Sequence, residues 1–269
     1  MELSIIITSY RNPELLKVCL DSIKANYTGH DFEMIVADSA TEDKTEMLMR
    51  EDYPEVKFLP SKENIGFSGT VNNGLTVATG KYILILNGDI IVKKDAIEKM
   101  LGYVSSHPDV GLVGPQLLNF NETFQPSTFR FYTPLTILYR RTFLGKLPFA
   151  KKHLDNFLMK DFDHRSVREV DWIMGSSLMT SREALEKVGA MDHQFKLYFE
   201  DTDWCRRFWE AGYKVIYFPA AQMYHYHGKG SASKNVFQAL LLNKLTWIHI
   251  ASALKYFKKY AGKELPKHN

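Results

Sequence analysis

Between Leu3 and Val113 the chain alternates short apolar runs with amphipathic stretches, and no other feature limits its fold so tightly. The runs are Leu3 to Thr8, Phe32 to Ala37, Val56 to Leu59, Tyr82 to Leu86 and Val110 to Val113. Helical periodicity fills Pro13 to Ala25, Glu42 to Arg50, Ser68 to Ala78 and Lys94 to Ser106. Such repeated strand and helix units predict an α/β fold, with a mostly parallel central sheet covered by helices on both faces. Ligands of these sheets collect beyond the carboxyl ends of the strands.

Polar residues stand at those ends: Thr8, Ser9 and Tyr10 after the first strand, Asp38 and Ser39 after the second, and Asn87, Gly88 and Asp89 after the fourth. Each group is ordinary turn composition by itself. Three groups at one sheet edge point to a binding crevice. Asp89 follows the buried run Tyr82 to Leu86, and a hard divalent ion needs only one or two protein carboxylates when substrate phosphates and water complete its shell. Asn-Gly-Asp is also a good hairpin turn. Glu63 to Gly74 places Gly66 and Gly69 at a helix start, where small residues and backbone amides suit close approach to a phosphate or a sugar.

Beyond Asn119 the pattern loosens into an aromatic, basic insertion that runs to Val170. Helices are expected from about Arg182 to Val188 and from the acidic segment Glu200-Asp201-Thr202-Asp203 to about Ala211, with a strand from Lys214 to Phe218. The three carboxylates either cap their helix or include a general base, because like charges near a metal site raise a carboxylate's pKa. His225 and His227 point the same way from an extended segment, and one of them is expected to complete a metal shell.

In this order the motifs resemble the family 2 glycosyltransferases, and within them the bacterial rhamnosyltransferase-like enzymes of cell-surface polysaccharide assembly. The resemblance runs from about Leu3 to Ser233 and is carried by SIIITSYRN, ENIGFSGTVNNG, the strand ending in NGD, DWIMGSSLM, FEDTDWCRR, GYKVIYFP and HYHGKGS. It implies a Rossmann-like GT-A fold, a nucleotide diphosphate donor, a divalent Mn or Mg ion and inversion at the anomeric carbon. Thr8, Tyr10 and Asp38 then contact base and ribose, and Gly66, Asn72, Asn87, Gly88 and Asp89 line the donor site. Asp89 matches the last aspartate of the family's DxD metal motif; Asn87 stands at the first, so a ligand from His225 or His227 becomes more necessary. Trp172, Gly175 and Ser176 match the acceptor side, with the Trp172 ring stacking on a sugar face. Asp201 matches the catalytic base, with Glu200 beside it. Residues 1–233 would be the catalytic domain, 1–118 its donor half and 119–233 its acceptor half, followed by a helical tail at 234–269. Thymidine diphosphate rhamnose is the favoured donor, and the acceptor is a glycan or polyprenyl-linked sugar.

The formal charge of +3 is unevenly spread. Nine lysines face one acid from Ala211 to Asn269, and six Lys or Arg stand without an acid from Thr123 to Leu154. From Val236 to Tyr260, Lys244, Lys255, Lys258 and Lys259 fall in one arc opposite Trp247, Ile250, Leu254 and Phe257, the pattern of a helix lying on an anionic membrane surface or packed on the domain. The N-terminus reads as a strand rather than a signal peptide, and a cytoplasmic enzyme, peripheral at the inner face of the membrane, is expected. Cys19 and Cys205 are expected as buried thiols of a reducing compartment. Oligomeric state leaves no mark in the sequence. A nucleotidyltransferase would carry a glycine-rich basic loop after the first strand, which SYRNPELLK is not. A nucleotide-sugar-binding protein would not need the acidic cluster, and a nucleic-acid partner is not expected from lysines without glycine or arginine punctuation.

Overall fold

The structure, a computed structural model, describes residues 1–226 and 244–266. The first half is β1 (Leu3–Ser9), α1 (Pro13–Asn26), β2 (Phe32–Ser39), α2 (Asp43–Asp52), β3 (Lys57–Ser61), α3 (Gly66–Val77), β4 (Tyr82–Asn87), β5 (Ile90–Val92), α4 (Ala96–Ser106) and β6 (Val110–Leu118). The alternation read from the sequence is present element by element. The short β5, directly after Asp89, is new. The second half is β7 (Phe124–Gln125), β8 (Thr128–Phe129), α5 (Pro134–Arg141), a 3-10 turn (Phe143–Lys146), α6 (Pro148–Phe157), β9 (Arg168–Glu169), β10 (Trp172–Ile173), β11 (Ser177–Ser181), α7 (Arg182–Val188), α8 (Glu200–Glu210), β12 (Lys214–His225) and α9 (Lys244–Lys259).

Strands β1 and β4 alternate their side chains between two cores. Leu3, Ile5, Ile7, Leu84 and Leu86 pack on one side of the sheet, and Ile6, Ile83 and Ile85 on the other. Burial on both faces is why these runs are continuously apolar rather than alternating. The sheet order is β3-β2-β1-β4-β11-β6-β12-β5, with β1 parallel to β2 and β4, β2 parallel to β3, and β6 parallel to β12. Strand β11 lies antiparallel between β4 and β6. Its reversed direction brings its amino end, and the residues before it, to the carboxyl ends of β1, β2 and β4.

The tail is a wall of the catalytic domain. Thr246, His249, Ala253, Tyr256 and Tyr260 are buried at helical spacing along and just beyond α9, and this polar, aromatic stripe faces the domain. Trp247 and Leu254, read from the sequence as part of the apolar face, are 56% and 66% exposed. The basic arc is turned inward in part: Lys255 donates to the Gln194 carbonyl at 3.0 Å, and Lys259 pairs with Asp192 and Asp203, each at 2.6 Å. Packing against specific carboxylates and carbonyls outweighs the hydrophobic pattern that a free interfacial helix would obey. Lys244 to Phe257 thus stand in the packed-helix arrangement, and the tail from Val236 to Asn243 lies outside the described residues.

Asp203 is the joint. Its fully buried carboxylate accepts from Arg207 at 2.9 Å and from the Tyr260 hydroxyl at 2.8 Å, besides Lys259. Removing one partner of a buried ion pair leaves uncompensated charge. Asp203→Ala should therefore cost about 3 kcal/mol in urea unfolding and expose α9 to limited proteolysis; an unchanged unfolding midpoint would contradict this role.

Candidate active site

At the carboxyl edge, β1 and β4 are tied by their polar ends. The Thr8 hydroxyl donates to Asn87 Oδ1 at 3.1 Å, and the Gly88 amide to the Thr8 carbonyl at 2.7 Å. A Cβ at Gly88 would stand 3.1 Å from that carbonyl, a tight approach that favours glycine in the turn. Asn87 thus fastens two strands where a first DxD aspartate would stand.

Strand β5 pairs antiparallel with the end of β12, aligning Ile90 with His225, and the Tyr226 amide donates to the Asp89 carbonyl at 3.0 Å. This pairing sets His225 Nε2 3.4 Å from Asp89 Oδ1. Two ligands of one octahedral ion at about 2.1 Å stand about 3 Å apart, so the separation fits a shared divalent ion. On its other nitrogen, His225 Nδ1 lies 2.8 Å from Gln125 Oε1, which places the proton on Nδ1 and turns the basic nitrogen toward Asp89. Asp89 Oδ1 is sealed from solvent and accepts no hydrogen bond, an anomaly that a cation would resolve. Among the described residues no third Cys, His, Asp or Glu joins the pair, so substrate and water would supply the remaining ligands. His227 lies outside the described residues.

Beside this edge lies a cavity of about 880 Å³, within the range of small-molecule sites, lined by Thr8, Tyr10, Gly66, Asn87, Gly88 and Asp89 among others. Gly66 has a φ of +75°, and a side chain there would strike the Lys196 carbonyl. The amides at this helix start are occupied: Gly66 donates to Asn64 at 3.0 Å and Phe67 to the Lys196 carbonyl at 2.8 Å. These two amides are therefore not free for an anion. Asp38 lies at the end of β2, 1% exposed, with both carboxylate oxygens lacking a partner, next to Ser39 of the cavity wall. Asn72 does a different job from the one expected. Its side chain clamps the Met191 backbone at both ends, at 2.8 and 3.0 Å, and it is not in the cavity lining.

Asp201 opens α8 on the other half. Its carboxylate accepts from the Gly175 amide at 3.1 Å and the Thr202 amide at 2.7 Å. Gly175 is needed for space: a Cβ would stand 3.0 Å from the Phe67 ring and 3.3 Å from Asp201. Phe67 also lines the cavity, whereas Gly175 and Asp201 lie behind it, outside the lining. The next residue completes the bridge, since the Asn87 amide donates to the Ser176 carbonyl at 2.9 Å. Gly175 and Ser176 act here through their backbones, and Ser176 Oγ is buried without a partner. Tyr198 and Phe199, at φ 66° and 70°, carry left-handed strain immediately before Glu200, about 1 kcal/mol each. Phe199 is held there by contacts with Tyr132, His249 and Tyr256.

Burial pushes Asp201 above the usual carboxylate range, against the pull of its amide donors. Glu200, 6% exposed, is pushed well above it by burial and then by the neighbouring Asp201 charge. Both carboxyls are thus held above their ordinary values, Glu200 the further of the two. Trp172 does not fit the sugar-stacking role. It is 6% exposed, stacked on Phe129 at 4.4 Å, near Tyr132 at 5.6 Å, and its Nε1 donates to the Arg130 carbonyl.

Sequence reasoning missed three participants. Gln125 sits in a two-residue strand too short to show periodicity. Lys196 and Lys255 line the cavity, Lys255 from α9 together with Leu245, Ile248, Ala251 and Ser252. A basic residue in a helix reads as solvated until its packing is known. Cys19 and Cys205 are free and buried, as expected.

A mostly parallel sheet with the antiparallel β11 inserted at its centre, a crevice at its carboxyl edge and two acidic centres are the marks of a nucleotide-sugar transferase of the GT-A class. Residues 4–189 match the family described as Glycosyl transferase family 2, and the chain belongs to that family. It is 25% identical over 236 residues to the N-acetylglucosaminyl-diphospho-decaprenol L-rhamnosyltransferase of Mycobacterium tuberculosis, covering 83% of this chain and 76% of that one. It is 24% identical over 276 residues to the rhamnosyltransferase WbbL of Escherichia coli K12, covering 95% and 92%. Among solved structures, GalNAc-T7 with UDP, GalNAc and Mn2+ shares the fold at a TM-score of 0.61 and 13% identity, over 83% of this chain and 43% of that one. The chain is a glycosyltransferase, which sets aside the nucleotidyltransferase and binding-protein readings. No described helix is long and apolar enough to cross a membrane.

The role given to Gln125 has a direct test. Gln125→Leu keeps the volume but frees the imidazole tautomer, and should weaken Mn²⁺ binding, read by electron paramagnetic resonance, about 10-fold or more. Unaltered Mn²⁺ affinity would remove Gln125 from the site.

Proposed function

We propose that the chain is an inverting glycosyltransferase that moves L-rhamnose from a thymidine diphosphate donor to a lipid-linked glycan, with Asp201 as the base. One observation carries this reading. Asp201, raised in pKa and held by the Gly175 amide, lies behind Phe67, which lines a cavity that also presents Asp89, and Asp89 stands 3.4 Å from the buried His225. The lipid-linked acceptor and the rhamnose follow the printed activity of the mycobacterial relative.

In this reading the donor lies along the β1, β2 and β4 ends, where the unpartnered Asp38 accepts from the base or ribose and Tyr10, 51% exposed, covers the rim. Donor binding falls to residues 1–118 with a wall lent by α9, and the acceptor and base to residues 119–233. Lys196 and Lys255 face the same cavity and offset the diphosphate charge. A divalent ion held by Asp89 and His225 would draw charge from the departing diphosphate. Asp201 takes the proton of the acceptor hydroxyl as its oxygen bonds the anomeric carbon and the bond to the diphosphate breaks. In-line attack from the opposite face inverts that carbon. Glu200 is buried beside the base, where little water screens charge and each charge interaction is stronger.

The pH dependence follows with its sign. Asp201 works ionised, so activity is present above its raised pKa and lost as pH falls through it. The acid limb of kcat/KM should lie above the ordinary aspartate value of about 3.9. Asp201→Asn should reduce kcat by about 10²- to 10⁴-fold, whereas Glu200→Gln, which copies the neutral form, should leave the acid limb in place. Near wild-type turnover by Asp201→Asn at saturating donor and Mn²⁺ would sink the assignment. For the donor, thermal shift with Mn²⁺ should be larger for thymidine diphosphate rhamnose than for uridine diphosphate hexoses. The reverse order would replace the sugar while keeping the chemistry.

A further inference from the structure

Residues 134–157 fold as a hairpin of α5, the 3-10 turn and α6, and its two sides are chemically different. The inner side joins the core: Thr136, Ala150 and Phe157 are buried, Phe157 packs on Tyr132 at 4.7 Å, and Arg140 donates to the Tyr132 hydroxyl at 2.8 Å. The outer side exposes Leu135, Leu138, Phe143, Leu147 and Phe149, with Phe143 at 74% and Phe149 at 60%. Single exposed apolar residues are normal, but five within one short hairpin form a patch that needs a partner.

The charge around the patch selects the partner. Arg140, Lys146, Lys151 and Lys152 are exposed among these apolar side chains, and no acid occurs from Thr123 to Leu154. Among the described residues, Lys146, Lys151 and Lys152 belong to no ion pair. A cleft of about 370 Å³ in the same hairpin is lined by Tyr139, Arg140, Thr142 and Lys146, with Leu154 and Phe157 on its apolar side. Cations and hydroxyls over an apolar floor match the boundary of an anionic bilayer, phosphate outermost and acyl chain below. A second copy of the same face would oppose cation to cation, and an apolar protein groove would have no use for the lysines.

We propose that the α5–α6 hairpin is the surface by which this enzyme sits on an anionic membrane leaflet. Phe143, Leu147 and Phe149 enter the headgroup boundary, Lys146, Lys151 and Lys152 lie at the level of the phosphates, and the Arg140 cleft takes one lipid phosphate. Of the two basic, aromatic surfaces of the chain, the hairpin carries the contact, because Lys255 and Lys259 of α9 are engaged within the protein. The hairpin rests on Tyr132, which packs near Trp172, three residues before the Gly175 that holds Asp201. Docking there would bring a lipid-linked acceptor to the base. The inference rests on the proposed acceptor for its purpose, but its test reads no sugar transfer, so either can fail without the other.

The experiment is co-sedimentation of the full chain with vesicles of phosphatidylcholine alone and with phosphatidylglycerol added. Binding is expected only with the anionic lipid, and should weaken as salt rises. Lys146→Glu/Lys151→Glu/Lys152→Glu should lower the partition about 100-fold, from about fivefold for each cation lost near the surface. Phe143→Ser/Phe149→Ser should lower it while preserving the donor-induced thermal shift, which reports an intact catalytic domain. Leu254→Ser on α9 should bind as wild type. Equal binding to neutral vesicles, wild-type partition by the charge-reversed variant, loss of binding by Leu254→Ser, or a dimer that Phe143→Ser/Phe149→Ser dissolves would each overturn the proposal.

Discussion

Two backbone hydrogen bonds on adjacent residues hold the site together. The Gly175 amide reaches Asp201, the proposed base, on α8 and the Ser176 carbonyl reaches the Asn87 amide at the end of β4, so one dipeptide links the two acidic centres. Neither bond depends on the identity of a side chain, yet Gly175 admits no substituent between Phe67 and Asp201. The dipeptide stands there because β11 runs against β4 and β6, so that its amino end meets their polar edge. Sheet direction therefore fixes catalytic geometry.

The first half of the fold was legible because β1, β2, β4 and β6 are buried on both faces and each helix on one, so the hydrophobic pattern survives in the sequence. The second half was less so. Strands β7 to β10 have two residues each, too short for a period, and Gln125 escapes notice for that reason. Asp89, Asp38 and Asp201 were readable as acidic residues at strand or helix ends, on the edge of the sheet where ligands collect. Asn72 and Trp172 were misread because both residue types serve packing and recognition equally well, and only the Met191 clamp and the ring stack decide between them.

The tail shows the same limit from another direction. Periodicity placed lysines on one arc and large apolar residues opposite, but the domain surface beneath α9 offers Asp192, Asp203 and the Gln194 carbonyl. Complementarity to that surface, which no local pattern encodes, sets the rotation of the helix. The outcome is a cavity wall made by residues far from the strands that define the crevice.

Helix α8 places the proposed base and the latch two residues apart: Asp201 accepts from the Gly175 amide while Asp203 grips Lys259 and Tyr260. Chemistry and mechanical closure thus share one helical turn. A lesion at the far end of the chain, nowhere near a sugar, would be transmitted through that turn and would register in an assay as a faulty enzyme rather than as a loosened one.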